Sequence, residues 1–373
     1  MATYSLDAPM TAVDRSRPGA SSALPVLYSR WIADLLPDPV LPEPRATCAS
    51  CAMVSTTAPP GQVVSTETRF EAATKCCTFL PNLPSFLVGA ALADQDATHA
   101  EGRQTVIDRI LARDSVTPLG LGRTAAFTAR YYSNPAWFGR DLQIKCPHLL
   151  GDGRCGVWNY REATCATWFC KHERGLVSKR FWRALQRLLS DLEREVAMWC
   201  AKELGAYSDP LARIHDGTAF GTEYTSTDED YRALWGSWFG REQELYLAAA
   251  KLVAPMRWVD VATIAGPDFA DRIDGLVETL DALESNAMPE RLEKGDVTLI
   301  QIGATSGRVT GYSEFDPREV PLEILERVPD ADGLTVDAFR EATGADLAQI
   351  RALLDDEILL PWSPEPEPEP KDR

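Results

Sequence analysis

Residues 146–170 read CPHLLGDGRCGVWNYREATCATWFC, and four of the chain's nine cysteines fall within this one stretch. Working outward toward the amino terminus, the doublet Cys76-Cys77 and the pair Cys48-x-x-Cys51 bring to eight the thiols lying between Cys48 and Cys170. A Cys-x-x-Cys turn lets two sulfurs point inward around one centre, and a tetrahedral zinc or an iron–sulfur cluster gathers four such donors from distant loops. Adjacent cysteines do not both face one small centre without distortion, so Cys76 and Cys77 are expected either to serve two neighbouring sites or to divide between a site and a structural position. Eight sulfurs divide into four and four, an arithmetic that assigns no ligand. The expected metal set is therefore Cys48, Cys51, Cys76, Cys77, Cys146, Cys155, Cys165 and Cys170.

Other readings of these thiols stay open. Free cysteine often behaves as a small buried hydrophobe, and Cys200 beside Trp199 is expected to pack in this way. Disulfides rank second to metal ligation, because no window has the basic flank, apolar core and cleavage site of a secretory leader and none has the length of a spanning helix. The expected location is the cytoplasm, where thiols stay reduced. His148 and His172 follow Cys146 and Cys170 closely, so each is expected either to ligate a metal, to bond to a ligand sulfur, or to lie on a polar surface loop. His99 and His215 lack such neighbours and are expected at the surface. Arg161, Lys171 and Arg174, with His172, form a positive group that would balance thiolate charge, bind an anion, or simply be solvated. Trp158, Tyr160, Trp168 and Phe169 alternate with the cysteines and would shield a cluster from water or serve as ordinary core. Asp94, Asp141, Asp152 and Glu162 are candidate bases near these thiols.

Beyond the cysteines, a chain of 373 residues with 45% apolar content has the material for a real core and for two domains. Its formal charge of −17 argues against nonspecific binding to nucleic acid and to an anionic membrane face. Residues 321–373 carry five basic against fourteen acidic side chains, so the carboxy-terminal end is poorly suited to DNA phosphates, and a protein partner is the expected ligand of that end.

The spacing of apolar residues predicts a short helix over Leu24–Leu36, where Leu27, Trp31 and Leu35 recur, and a buried helix start after Pro84. It predicts a further helix over 101–114, an aromatic-rich connection over 124–139, and a long helix over Ser178–Lys202 capped by Ser178. A second helical block is expected at Asp228–Val253 and Asp268–Leu283, then a strand at Asp296–Ile302, a turn at Gly303–Gly311, and a partner strand starting at Val309. Short helices over Pro321–Val328, Thr335–Thr343 and Asp346–Asp355, with the apolar end Ile358–Trp362, have the rhythm of a small winged-helix-like unit. The expected organisation is a Pro-rich arm (1–45), a cysteine-cluster domain (46–205), a helical extension (206–295), a small α+β winged-helix-like unit (296–362) and a Pro/Glu tail (363–373).

The segments KCCTFLP at 75–81 and KCPHLLGDGRCGVWNYREATCATWFC at 145–170 resemble a bacterial family of cysteine-cluster proteins described as zinc- or iron-chelating domains. On that resemblance Cys48 and Cys51 come first, Cys76 and Cys77 form the doublet, Cys146 follows, and Cys155 with Trp158, Tyr160, Arg161, Cys165 and Cys170 closes the pattern. The resemblance covers roughly residues 46–175. It departs from the family in the 24 residues between Cys51 and Cys76 and in Glu162, which stands where the family tends to have proline. No Gly-x-Gly-x-x-Gly, Walker lysine motif, His-Glu-x-x-His, Gly-x-Ser-x-Gly or Cys-x3-Cys-x2-Cys is present. The expected fold is mainly α, with an irregular cysteine-rich, metal-organised domain. The expected function is an iron–sulfur protein with one or two clusters, acting in redox chemistry or in modification of another molecule. The alternatives are a zinc-stabilised interaction module without catalysis and a zinc site with an open position for hydrolysis.

Overall fold

The structure is a computed structural model that describes residues 24–36, 40, 43–46, 48, 51–54, 69–219, 221–285 and 287–362. Most of the expected Pro-rich arm and all of the Pro/Glu tail lie outside the described residues. The chain divides into two compact units, one of Met1–Glu43, Thr47–Trp168 and Arg183–Gly275, the other of Pro44–Ala46, Phe169–Trp182 and Leu276–Arg373.

Helices dominate the first unit. In chain order they are α1 (Val26–Ile32), α2 (Ser85–Ala93), α3 (Ala100–Ala112), α4 (Ala125–Ser133), α5 (Ala163–Thr167), α6 (Gly175–Glu203), α7 (Asp209–His215), α8 (Asp228–Trp235), α9 (Glu242–Val253), α10 (Trp258–Ala265) and α11 (Ala270–Glu284), with the start of α6 up to Trp182 and the end of α11 from Leu276 counted in the second unit. A three-stranded antiparallel sheet of two-residue strands, β1 (Leu83–Pro84), β2 (Val116–Thr117) and β3 (Gly120–Leu121), has the order β1-β3-β2. The apolar stripe of α6 is the reason it forms: Leu185, Leu188, Leu189, Leu192 and Val196 recur at three and four residues and are all 0% exposed. Ser178 does not cap this helix; its Oγ accepts the Arg174 amide one turn in. The core gathers Leu83, Val88, Leu92, Val106, Ile110, Leu121, Val157, Trp235 and Tyr246. The α2–α9 contact is close enough that a Cβ on Gly89 would sit 1.8 Å from the Tyr246 carbonyl oxygen, so only glycine fits there.

The helical block expected over Asp228–Val253 consists of two helices, because Gly236 (φ 51°) and Gly240 (φ 78°) take left-handed conformations between α8 and α9. The expected aromatic connection at 124–139 contains helix α4, capped by the Thr124 hydroxyl accepting from the Phe127 amide at 2.9 Å.

The second unit holds two small antiparallel sheets. Strand β4 (Leu292–Lys294) pairs with β8 (Leu359–Pro361), while β5 (Thr298–Ile302), β6 (Ser306–Thr310) and β7 (Arg318–Pro321) form a meander. Three short helices follow the meander: α12 (Leu322–Leu325), α13 (Val336–Thr343) and α14 (Leu347–Asp355). Thr335 caps α13, and Asp346 with Gln349 forms a capping box on α14. Leu292, Val309, Val320, Ile324, Phe339, Ile350, Leu353 and Ile358 make the core. The expected winged-helix-like unit is not what forms. The meander closes before α12, α13 and α14, and the last strand returns to β4 instead of adding to the meander, so among the described residues no hairpin follows these helices as a wing.

A buried polar network completes this unit. The Asp316 carboxylate accepts both Arg45 guanidinium nitrogens at 2.7 and 3.1 Å, the Lys171 ammonium at 3.4 Å and the Tyr312 hydroxyl at 2.5 Å. Arg174 grips Asp355 through two bonds of 3.0 and 3.1 Å. Among the described residues, no helix is long and apolar enough to cross a membrane.

Candidate thiol site

The doublet Cys76-Cys77 lies on a turn that two buried threonines clamp. The Thr74 hydroxyl donates to the Gly139 carbonyl at 2.6 Å, and the Gly139 amide donates to the Thr78 hydroxyl at 2.8 Å. Gly139 has φ 77°, and a Cβ there would strike the Phe70 ring at 2.0 Å, so the turn closes only on glycine. The Cys146 amide then donates to the Cys77 carbonyl at 2.7 Å, and the Cys146–Cys155 segment folds back through the Leu149–Cys155 bridge and the Gly156 amide on the His148 carbonyl at 2.7 Å. Helix α3 braces that segment so tightly that a Cβ on Gly102 would lie 1.8 Å from the Gly156 carbonyl oxygen.

Lys75 ties these pieces together. Its ammonium donates to the Cys48 carbonyl at 3.0 Å and to the Gly153 carbonyl at 2.8 Å, and its own backbone is left-handed at φ 49°. A non-glycine residue there is strained and persists because its surroundings over-determine it. Three cysteine-bearing segments thus meet around one lysine. Sequence reasoning passed over this residue, although it stands directly before the doublet.

The electrostatics distinguish one sulfur. Cys77 is shifted down from the ordinary thiol value, first by a hydrogen bond from the Cys76 thiol and then, against some burial, by the charges of Lys75 and Lys145. Burial pushes Cys146 up to about 12 and Cys155 up to about 11, and it pushes Cys165 well up. Burial also raises Cys48 and Cys51, and the charge of Cys77 adds to the rise in Cys48, Cys51, Cys146 and Cys155 alike. Cys77 is therefore the common neighbour of four thiols. Backbone amides also reach the sulfurs: Met53 and Val54 on Cys51, His148 on Cys146 and Val157 on Cys155.

Around this group, Arg161 lies over the Trp158 ring at 3.5 Å and donates to the Trp158 and Cys165 carbonyls at 3.0 and 3.4 Å. Glu162 caps α5, accepting the Thr164 and Cys165 amides at 2.7 and 2.9 Å. Behind it the buried Glu193 accepts the Tyr28 hydroxyl and, at 2.8 Å, the Ala163 amide; burial and the Glu162 charge drive its carboxyl well above the usual range. His148 bonds through Nδ1 to the Thr105 hydroxyl at 2.7 Å. That hydroxyl gives its single proton to the Gly102 carbonyl at 2.7 Å, which assigns the imidazole proton to Nδ1 and leaves Nε2 a bare acceptor. Burial, and then the charge of Arg109, lower His148 to about 3.

The remaining expected site residues lie elsewhere. Cys170, Lys171, His172 and Arg174 belong to the second unit, where Lys171 and Arg174 bind Asp316 and Asp355. His99 pairs with Asp94 at 2.6 Å, and His215 lies near Glu195 and Asp216. Cys200 is buried, as expected of a packing residue.

The metal reading of Cys48, Cys51, Cys76, Cys77, Cys146, Cys155, Cys165 and Cys170 is corrected by this arrangement. Among the described residues, no group of three or more His, Cys, Asp or Glu side chains is disposed to hold a metal ion. The expected division of eight sulfurs into two four-sulfur centres is not formed among the described residues. The iron–sulfur cofactor, the zinc alternative, and the redox, modification and interaction roles built on them fall with it, as does His148 or His172 as a ligand. The resemblance to the zinc- or iron-chelating family is likewise not sustained. Compared with protein-family models, curated proteins and solved structures, the chain matches none.

Proposed function

We propose that the first unit carries a thiol–disulfide exchange site in which Cys77 attacks and Cys48 resolves. The observation that carries this reading is the position of Cys77: half-buried on a clamped turn, amid four other thiols, and the described thiol shifted toward its thiolate. No disulfide joins any of the nine cysteines in this structure.

The chemistry balances without any metal. The Cys77 thiolate attacks one sulfur of a substrate disulfide, the substrate S–S bond breaks, and the departing thiolate takes up a proton. Cys48, held beside the doublet by the bond of its carbonyl to Lys75, then loses its proton and attacks the Cys77 sulfur. A protein disulfide forms, and the second substrate thiol leaves. Two protein thiols have been oxidised and one disulfide reduced to two thiols. Cys76 is the poorer resolving group, because a disulfide between adjacent residues must distort the intervening peptide.

The test is to treat the fully reduced chain with hydroxyethyl disulfide, quench in acid, alkylate the remaining thiols and map the products by mass. The expected product is a mixed disulfide at Cys77 that passes to a Cys48–Cys77 bond, with Cys48→Ser trapping the mixed form and Cys77→Ser abolishing it. Its rate should rise with pH to a midpoint below 9.0. Modification of Cys77 no faster than that of Cys48, or thiols that react only after a chelator is added, refutes the reading.

A further inference from the structure

The cations around Cys77 point to a substrate class. Lys75 and Lys145 both act on its sulfur, and among the described residues neither makes an ion pair with a carboxylate. Lys75 spends its ammonium protons on two neutral carbonyls, and Lys145 is exposed. Three carboxylates on neighbouring loops are engaged elsewhere, Asp141 with Arg130 at 2.5 Å, Asp152 with Arg154 at 2.6 Å and Glu162 with two backbone amides, while the exposed Glu71 on the Lys75 turn forms no ion pair with either lysine. Arg161 adds a further positive charge acting on Cys48 and Cys155. Among the described residues, a chain of net charge −17 thus leaves both lysines beside Cys77 without a carboxylate partner.

Resting on the exchange reading above, we propose that the disulfide this site takes is anionic, a small disulfide bearing carboxylates of the kind found in glutathione disulfide. Its carboxylates would meet Lys75 and Lys145 as its sulfur meets Cys77. A cationic disulfide would meet like charge there. The overall negative field of the protein works against an anionic substrate at long range, so the selectivity is local and belongs to the last few ångströms of approach.

The experiment measures mixed-disulfide formation at Cys77 of the full reduced chain with three probes: glutathione disulfide (anionic), hydroxyethyl disulfide (neutral) and cystamine (cationic). Each rate is divided by the rate of the same probe with free mercaptoethanol, which removes the probe's intrinsic reactivity. One lysine acting on one carboxylate at about 6 Å through water is worth about threefold. The two lysines together should favour the anionic over the neutral probe by about tenfold at low salt, with the cationic probe slower than the neutral one, and the anionic-to-neutral ratio should fall as salt is raised. Within each variant the same ratio is read, so a changed nucleophile cancels: Lys145→Gln should lower it about threefold and Lys145→Arg should restore it. Equal normalised rates for the three probes, or a preference for cystamine, overturn the anionic substrate while leaving the exchange site standing. No reaction of Cys77 with any probe overturns both.

Discussion

Replacing Gly102 with alanine tests how helix α3 holds the Cys155 segment. The added Cβ would lie 1.8 Å from the Gly156 carbonyl oxygen, 2.5 Å from its carbon and 2.8 Å from its Cα. Each of these is a backbone atom, so no side chain can swing aside, and the segment carrying Cys155 must move by more than an ångström. Two effects oppose each other. Alanine in a helix interior is favoured over glycine by about 1 kcal/mol, while overpacking against rigid neighbours costs about 1–3 kcal/mol and more where the backbone itself must shift. With the overlap at its upper end, the expected net loss is about 2 kcal/mol. Gly275 in α11 supplies the control, since a Cβ there meets nothing within 4 Å. Gly275→Ala should gain up to about 1 kcal/mol. Denaturant unfolding followed by tryptophan fluorescence reads both variants, and alkylation of Cys155 should speed up in Gly102→Ala. If Gly102→Ala matches or exceeds the stability gained by Gly275→Ala, α3 does not brace the segment and the reasoning fails.

Glu193→Gln should become progressively more stable relative to the parent as pH rises from the ordinary carboxyl value of 4.5, because the raised folded pKa makes the parent lose stability over that range while glutamine does not titrate; a pH-independent difference in denaturant midpoint would contradict this. His148, lowered to about 3, should keep constant ring shifts by NMR between pH 5 and 8, and its contribution to stability should be lost as pH falls below 6.5; a ring midpoint near 6.5 would show that it is solvated. Asp316→Asn should leave the buried Lys171 ammonium without its countercharge and cost about 3 kcal/mol. Hydrogen exchange would show the loss as faster exchange in β6, β7 and α14, and unchanged protection there would count against the network.

Much of the secondary structure is written in local signals. The apolar stripe announced α6 to within three residues at each end, and Thr335 and Asp346 marked the starts of α13 and α14. The hairpin of β5 and β6 was visible, but its partner strand begins at Ser306 because the turn is tight, the Gly303 amide donating to the Ser306 carbonyl at 2.8 Å. Helix α4 escaped because none of its residues is buried, so it carries no apolar stripe. The cysteines themselves were an unmistakable signal, and yet their meaning depended on contacts that spacing does not encode. Lys75 reaches Gly153 across 78 residues, and Glu193 reaches Tyr28 across 165. Pairs, a doublet and a triplet of thiols identify a neighbourhood; whether its sulfurs converge on one point is decided by the strained backbone at Lys75 and the clamp on Gly139.

The interleaving of the two units sets an order on the ribosome. Pro44–Ala46 and Phe169–Trp182 are made early but belong to a unit whose bulk starts at Leu276. At about 5–20 residues per second, Phe169–Trp182 waits roughly 5–20 s and Pro44–Ala46 roughly 10–45 s before that bulk begins to follow. Strand β4 in turn has no partner until β8 emerges near the end of the chain. Until then Lys171 and Arg174 have neither Asp316 nor Asp355 to bind, so the nascent chain displays bare cations and an open strand edge. A stop codon just before Leu359 would leave that edge open permanently, turning a folding delay into a hazard of strand-to-strand association.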